Sequence, residues 1–171
     1  MQLDHAQIRG LLPQRHPILL LDRVLSVEPG ESIRAIKAIT ASEPCYAGLP
    51  DGLGQDSYAY PVSLLLESFG QAAAVLWLLS TAGLADGSVL MFAAARDCVI
   101  ESRAYPGDVL CHTARLDRVL DGTAFVEGET LAGGRRVAVM GSLIAAIRPS
   151  AAVRGLANSV TTPQGVQDDV T

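Results

Sequence analysis

Residues 61–79 read PVSLLLESFGQAAAVLWLL, and this stretch decides how the rest of the chain must be arranged. Its run of Leu and Ala, with Pro61 suited to a first helical turn, predicts one long α-helix. Apolar residues fall on every side of that helix, the pattern of an element enclosed by a core rather than laid on a surface. Ser63, Glu67 and Gln71 follow one another at intervals of four and so share one stripe. A carboxylate in such surroundings is costly unless it is paired, hydrogen-bonded or protonated. Glu67 is therefore either a functional acid or a structural one that pairs with an Arg or caps a loop. The helix pattern by itself leaves both readings open.

Composition narrows the setting of this helix. The chain has 171 residues, 49% of them hydrophobic and 18% charged, with a mean hydropathy of +0.30. That length suits one domain with a sizeable core. The apolar excess implies surface hidden in an oligomer interface or a lipophilic tunnel. A net charge of −5, with no clustered Lys and Arg, argues against nucleic acid as a partner. A membrane span is not expected, because the apolar helix is short and carries Glu67 and Gln71. The N-terminus, MQLDHAQIRG, lacks the layout of a signal peptide. Cys45, Cys98 and Cys111 are odd in number and scattered. They read as reduced packing groups of a cytoplasmic protein, without a disulfide framework or a metal site. No cofactor motif is recognised: the glycines at 48, 52 and 54 do not sit between a strand and a helix, and Ser63 and Ser68 lack a nucleophile-elbow context.

On either side of the helix the pattern changes. Residues 4–12 predict a short helix capped by Asp4 and ended before Pro13. Two β-type runs flank the turn Glu28–Pro29–Gly30. Residues 43–60 form a long loop rich in Gly, Pro, Asp and Tyr, of a length that often carries function. After Gly83–Gly87, strand-like runs at Val89–Ala94, Arg96–Glu101, Val109–Val119, Ala124–Leu131 and Arg135–Ile147 are separated by turns. Successive hairpins around one apolar helix imply an α+β fold, a curved antiparallel sheet wrapped about it. One domain is expected over 1–148. The small and polar residues of 149–171 read as a disordered tail.

The ordered set LLPQRHPILLLDRVLSVEPGESIRAIKAIT, Glu43–Pro44, LLLESFGQAA and RAYPGDVL resembles the 3-hydroxyacyl-acyl-carrier-protein dehydratases of the FabZ family, over roughly residues 6–148. The resemblance implies a hot-dog fold, dimerised edge to edge, with acyl tunnels at the interface. It also implies elimination of water from a 3-hydroxyacyl thioester by a loop His of one subunit and a helix acid of the other. Glu67 matches that acid, and Gln71 the glutamine one turn later. The His has no counterpart. Where the family has Gly-His-Phe-Pro, this chain has Gly48-Leu49-Pro50, and no histidine lies between His16 and His112.

The family's Pro-Gly at the helix start is Pro61-Val62 here, so a backbone N–H for a thioester carbonyl is retained beside a bulkier side chain. Gly48, Leu49, Tyr58, Tyr60, Val62 and Ser63 are the expected substrate-side residues. Tyr58 and Tyr60 are suited to donating rather than abstracting a proton. Asp51 and Asp56 read as solvated turn residues, His5 as exposed and His16 as structural. His112 lies on a strand, facing either the core or solvent.

Three functions are compatible with this set. The first is a dehydratase subunit acting on acyl carrier protein or acyl-CoA thioesters in fatty-acid or polyketide biosynthesis. It would work as a homodimer, or as a heterodimer in which a His-bearing paralogue completes the site around Glu67. The second is a hot-dog thioesterase using Glu67. The third is a non-catalytic acyl-binding or scaffold protein.

Overall fold

A computed structural model describes residues 1–81 and 85–151. Helix α1 (His5–Leu11) starts at an Asp4–Gln7 capping box, in which each side chain accepts from the other residue's backbone N–H. Strands β1 (Arg23–Glu28) and β2 (Ser32–Ala38) form the expected hairpin. Residues 43–60 hold only two 3₁₀ turns, and then α2 runs from Val62 to Ser80 with Pro61 as its N-cap. Strands β4 (Val109–Leu120), β5 (Thr123–Ala132) and β6 (Arg135–Pro149) follow the predicted hairpins closely.

Two expectations are corrected. The runs Val89–Ala94 and Arg96–Glu101 are not separate strands but one, β3 (Ser88–Ile100). A register shift between Phe92 and Ala94 and a left-handed Asp97 (φ 52°) interrupt its alternation without ending it. Extra residues of this kind disturb the period-2 pattern while pairing continues. The last strand also reaches Pro149, beyond the expected end of the folded region. From residue 152 the expected tail lies outside the described residues, as do residues 83 and 84 of the Gly83–Gly87 break.

All six strands form one antiparallel sheet in the order β1-β2-β4-β5-β6-β3. α2 lies across its inner face, with Phe69 and the run Gln71–Leu78 buried. Residues Gln55–Ser80 have the length and hydropathy to cross a bilayer, yet most of the apolar window is buried inside the fold. Burying each large aliphatic side chain contributes about 1.5–3 kcal/mol, so this helix contributes substantially to stability. The sheet presses on it closely at Gly128, where an added Cβ would lie 2.0 Å from the Thr113 carbonyl oxygen and 3.0 Å from the Phe69 ring.

The two sheet edges are treated differently. Backbone bonds between Leu3 and Val24, and from Val27 to Met1, place the N-terminal residues along β1. On β3, Phe92 is 50% and Val99 54% exposed, and among the described residues no strand pairs its free side. An open edge with apolar side chains invites another strand.

His112 faces the core, which resolves the alternative left open by its strand position. It is fully buried between Ser68 Oγ (3.0 Å from Nε2) and Thr130 Oγ1 (2.8 Å from Nδ1). Ser68 donates to the Leu65 carbonyl, so Nε2–H donates to Ser68 and Nδ1 accepts from Thr130. Burial pushes the His112 pKa down from 6.5 to about 3, leaving it neutral. The unfolded chain takes up a proton near pH 6.5 that the native protein refuses until about pH 3. Stability therefore falls as pH drops through that window. In urea unfolding, the wild-type protein should lose about 1.4 kcal/mol per pH unit more than His112→Leu protein between those limits. Equal slopes would mean that His112 titrates normally.

Candidate functional site

The polar stripe of α2 is built as its spacing predicts. Gln71, fully buried, uses every hydrogen-bonding position of its carboxamide. Its Oε1 accepts from the Leu20 N–H (2.8 Å) and, more weakly, the Leu21 N–H (3.4 Å). Its Nε2 donates to the Ile18 carbonyl (2.6 Å) and to Glu67 Oε1 (2.8 Å). One side chain thus locks the extended segment before β1 onto the helix and holds the acid in place.

Glu67 is half-buried. Gln14, on the connection between α1 and β1, also donates to Glu67 Oε1, at 3.4 Å. Both amide donors converge on that oxygen, and among the described residues none donates to Oε2. Glu67 makes no ion pair among the described residues, so the reading of it as an Arg-paired structural acid has no partner here. Glu67 borders two spaces. The outer hollow, about 220 Å³, is lined by Ser63, Leu66, Glu67 and Phe92. A narrower crevice, about 40 Å³, is lined by Glu67 with Gln14, Gly70, Ala74 and Leu143, and Phe92 also lines it. Gly70 keeps this crevice open, since an added Cβ would meet only Phe92 and Leu143, at 3.8 and 4.0 Å.

The long loop builds a different hollow, of about 310 Å³, at the start of α2. Tyr60, Val62, Leu65, Ile100 and Arg103 line it, and it shares no lining residue with the spaces at Glu67. No side chain caps the helix here, and the Val62 and Ser63 N–H groups precede the first intrahelical bonds, made by Leu64 and Leu65 to Pro61. Tyr60 reaches this hollow with its ring, but its hydroxyl is buried without a partner near Glu43. Burial drives its pKa far upward, so it is no base. Tyr46 is its buried neighbour, pushed up to about 12. Tyr58 is half-buried and tilts against Tyr46 (6.2 Å between ring centres), away from either hollow. Gly48 and Leu49 are exposed and line neither the loop hollow nor the spaces at Glu67.

Other titratable groups are engaged in structure. A Lys37–Glu43 ion pair at 2.7 Å, nearly excluded from solvent, anchors the start of the loop. Asp56 holds the loop's end through Arg103 (3.0 Å) and the Tyr105 hydroxyl (3.2 Å). His5 is exposed, with Nδ1 3.0 Å from the Leu21 carbonyl, and His16 is exposed on the segment before Pro17. No histidine lines either hollow, and among the described residues no His/Cys/Asp/Glu group has the geometry to hold a metal. Ser63, Glu67 and Gln71 are brought together as expected, while Val62 and Tyr60 belong to the second hollow. Gln14 and Phe92 were not singled out from the sequence, because neither carries a periodic signal. They come from elements distant in the chain.

Residues 12–140 match the family model described as the FabA-like domain. A 3-hydroxyacyl-[acyl-carrier-protein] dehydratase FabZ of Oleidesulfovibrio alaskensis is 36% identical over 145 residues, spanning 81% of this chain and 91% of that one. The FabZ dehydratase of Nitratidesulfovibrio vulgaris is 34% identical over 137 residues, spanning 76% and 86%. Among solved structures, the dehydratase heterocomplex ApeI:P from Xenorhabdus doucetiae superposes with a TM-score of 0.69 at 20% identity, covering 88% of this chain and 97% of that one. A hot-dog-like protein from Thermanaerovibrio acidaminovorans gives 0.60 at 15% identity, covering 81% and 96%. The sheet and helix described above are the hot-dog fold.

Gln71→Leu keeps the volume but leaves the buried Leu20 N–H without an acceptor. A buried donor so abandoned costs about 1–3 kcal/mol, with further loss from Ile18. Urea denaturation is expected to show a destabilisation of about 2–4 kcal/mol. A change under about 0.5 kcal/mol, the range of ordinary surface substitutions, would mean that the network does not anchor this segment.

Proposed function

This chain belongs to the FabA-like domain family, and on that premise we propose that it is the acid-bearing subunit of a 3-hydroxyacyl-thioester dehydratase. Its partner, a His-bearing hot-dog paralogue, supplies the base. The observation that carries this reading is a division within the chain. Glu67 is held ready by two glutamines, whereas the hollow at the start of α2, where the base is required, contains no histidine.

The geometry favours a site shared between subunits. The Glu67 spaces border β3 near Leu90–Phe92, and the loop hollow borders it at Ile100. Antiparallel pairing with a second β3, centred near Ala95 and Arg96, sets Phe92 opposite the partner's equivalent of Val99. The Glu67 side of one chain then meets the loop side of the other. The relatives' names supply the substrate class, a 3-hydroxyacyl group on acyl carrier protein. The ApeI:P neighbour is itself a dehydratase heterocomplex.

In the productive site, the partner's His removes a proton from C2. The partner's helix-start N–H groups stabilise the oxyanion that develops on the thioester carbonyl. Glu67 then gives its proton to the C3 hydroxyl, the C3–O bond breaks, and water leaves with a 2,3 double bond formed. The reciprocal site, built on this chain's own loop, lacks a base and is silent. A role in fatty-acid or polyketide biosynthesis and a cytoplasmic location belong to the same proposal.

Light scattering at micromolar concentration is expected to find two-chain particles, and a monodisperse monomer would refute edge pairing. Co-expressed with a His-bearing paralogue, the complex should hydrate crotonyl-pantetheine at least about 100-fold faster than this chain alone, the scale of one general acid–base group. Glu67→Gln in the complex should reduce turnover by a similar factor with the melting temperature unchanged. Turnover that survives this substitution would overturn the catalytic role. Hydrolysis to the free acid, instead of hydration, would identify a thioesterase.

A further inference from the structure

The narrow crevice beside Glu67 follows one line of the helix and then stops. Glu67, Gly70 and Ala74 line it at intervals of three and four residues, so they share one face of α2. Beyond Glu67 and Gln14 its walls are apolar, with Leu90 of β3 and Leu143 and Ala145 of β6 completing them. Trp77 is the next position on the same face, three residues after Ala74. It is 2% exposed and clusters with Ala145 and Leu90, two residues that also line the crevice. Gly70 and Ala74 are too small to fill the space between helix and sheet, and the indole fills it where the stripe continues. The volume left open is about 40 Å³. One water needs about 10–15 Å³, so the crevice takes about three groups of water or methylene size. The wider hollow lies toward the helix start, at Ser63 and Leu66.

We propose that this crevice receives the acyl tail and that Trp77 closes it, which limits the substrates to short acyl groups of at most about six carbons. The inference rests on the dehydratase reading above and names the substrate length for it. With C3 and its hydroxyl at Glu67, the two ends of the substrate part in opposite directions. The polar thioester and its carrier arm take the wider hollow, and the carbons beyond C3 enter the apolar crevice. Each methylene that finds room there should tighten binding about fourfold, the scale of burying one such group. The next carbon meets the indole, and a close-packed interior yields to extra atoms only with strain. Trp77 is thus a specificity-determining residue that limits chain length, while Gly70 and Ala74 leave the room that a four- or six-carbon group uses.

The test measures kcat/KM for hydration of 2-enoyl-pantetheines of four, six, eight and ten carbons. It uses the complex with the His-bearing partner, purified through a tag on this chain. In the wild-type complex the value should rise from four to six carbons and fall at least about tenfold at eight and ten, where two or more methylenes find no room. Trp77→Leu should raise the eight-to-four-carbon ratio at least about tenfold, the scale of two methylenes newly buried. A purely structural effect would lower all four substrates alike and leave that ratio unchanged. Gly70→Ala decides if the Leu protein does not fold, since its added Cβ meets only Phe92 and Leu143, at 3.8 and 4.0 Å. It should lower the six-to-four-carbon ratio about fourfold, as one methylene's room is lost. Wild-type hydration of eight- and ten-carbon substrates as fast as six would overturn the proposal, as would unchanged ratios in folded variants. If no hydration depends on Glu67, the dehydratase reading fails separately. Calorimetric titration with butyryl-, hexanoyl- and octanoyl-pantetheine then decides. Affinity that peaks at six carbons, and extends to eight in Trp77→Leu, upholds the closed crevice; a flat series or no binding overturns it.

Discussion

The carboxamide of Gln71 is the contact on which the rest of this site depends. A buried amide with four partners has one stable arrangement, and its partners come from both sides of the molecule. Leu20, Leu21 and Ile18 belong to the segment that enters β1, and Glu67 belongs to the helix. Pinning that segment brings Gln14 to the acid, beside a crevice that Gly70 also lines. The cost of leaving any of these buried groups unpaired explains why so polar a side chain sits on an otherwise apolar helix.

The second constraint is the asymmetry of the sheet. Residues at the N-terminus lie along the β1 edge, while β3 ends the sheet with Phe92 and Val99 facing outward. The two hollows border this open strand and share no lining residue, so Glu67 and the Tyr60–Val62 helix start line separate spaces within one chain. An enzyme formed by pairing such edges tolerates division of labour. In the proposed enzyme one chain keeps the acid without the base and still folds, because the two groups come from different subunits.

The polar groups that do lie inside one chain behave differently. His112 has both ring nitrogens occupied and is driven neutral by burial. Lys37 and Glu43 satisfy each other, and Glu43 also accepts from the Thr40 N–H. Breaking a buried pair of this kind costs about 3–5 kcal/mol, so these residues hold the long loop in shape. Among the described residues Glu67 accepts only from amides, both at Oε1, and it lines open space, the arrangement of a group available to a ligand.

Much of this was legible in the residues. The stripe Ser63–Glu67–Gln71, the capped first helix, the Pro29–Gly30 hairpin and the turns between β4, β5 and β6 are local patterns, decided by spacing and turn chemistry within a few residues. Loss of the loop histidine is equally plain, since a missing residue type cannot be restored by folding. What only the tertiary structure decided are relations between distant segments. Gln14 joins Glu67 across 53 positions of sequence, Phe92 lines both spaces beside Glu67, and His112 turns inward to Ser68 and Thr130. The continuity of β3 through a register shift and a left-handed Asp97 was hidden for the same reason. Its pairing with β6 maintains a strand that local alternation divides in two, because hydrogen bonds to a neighbouring strand outweigh an irregular pattern along the chain.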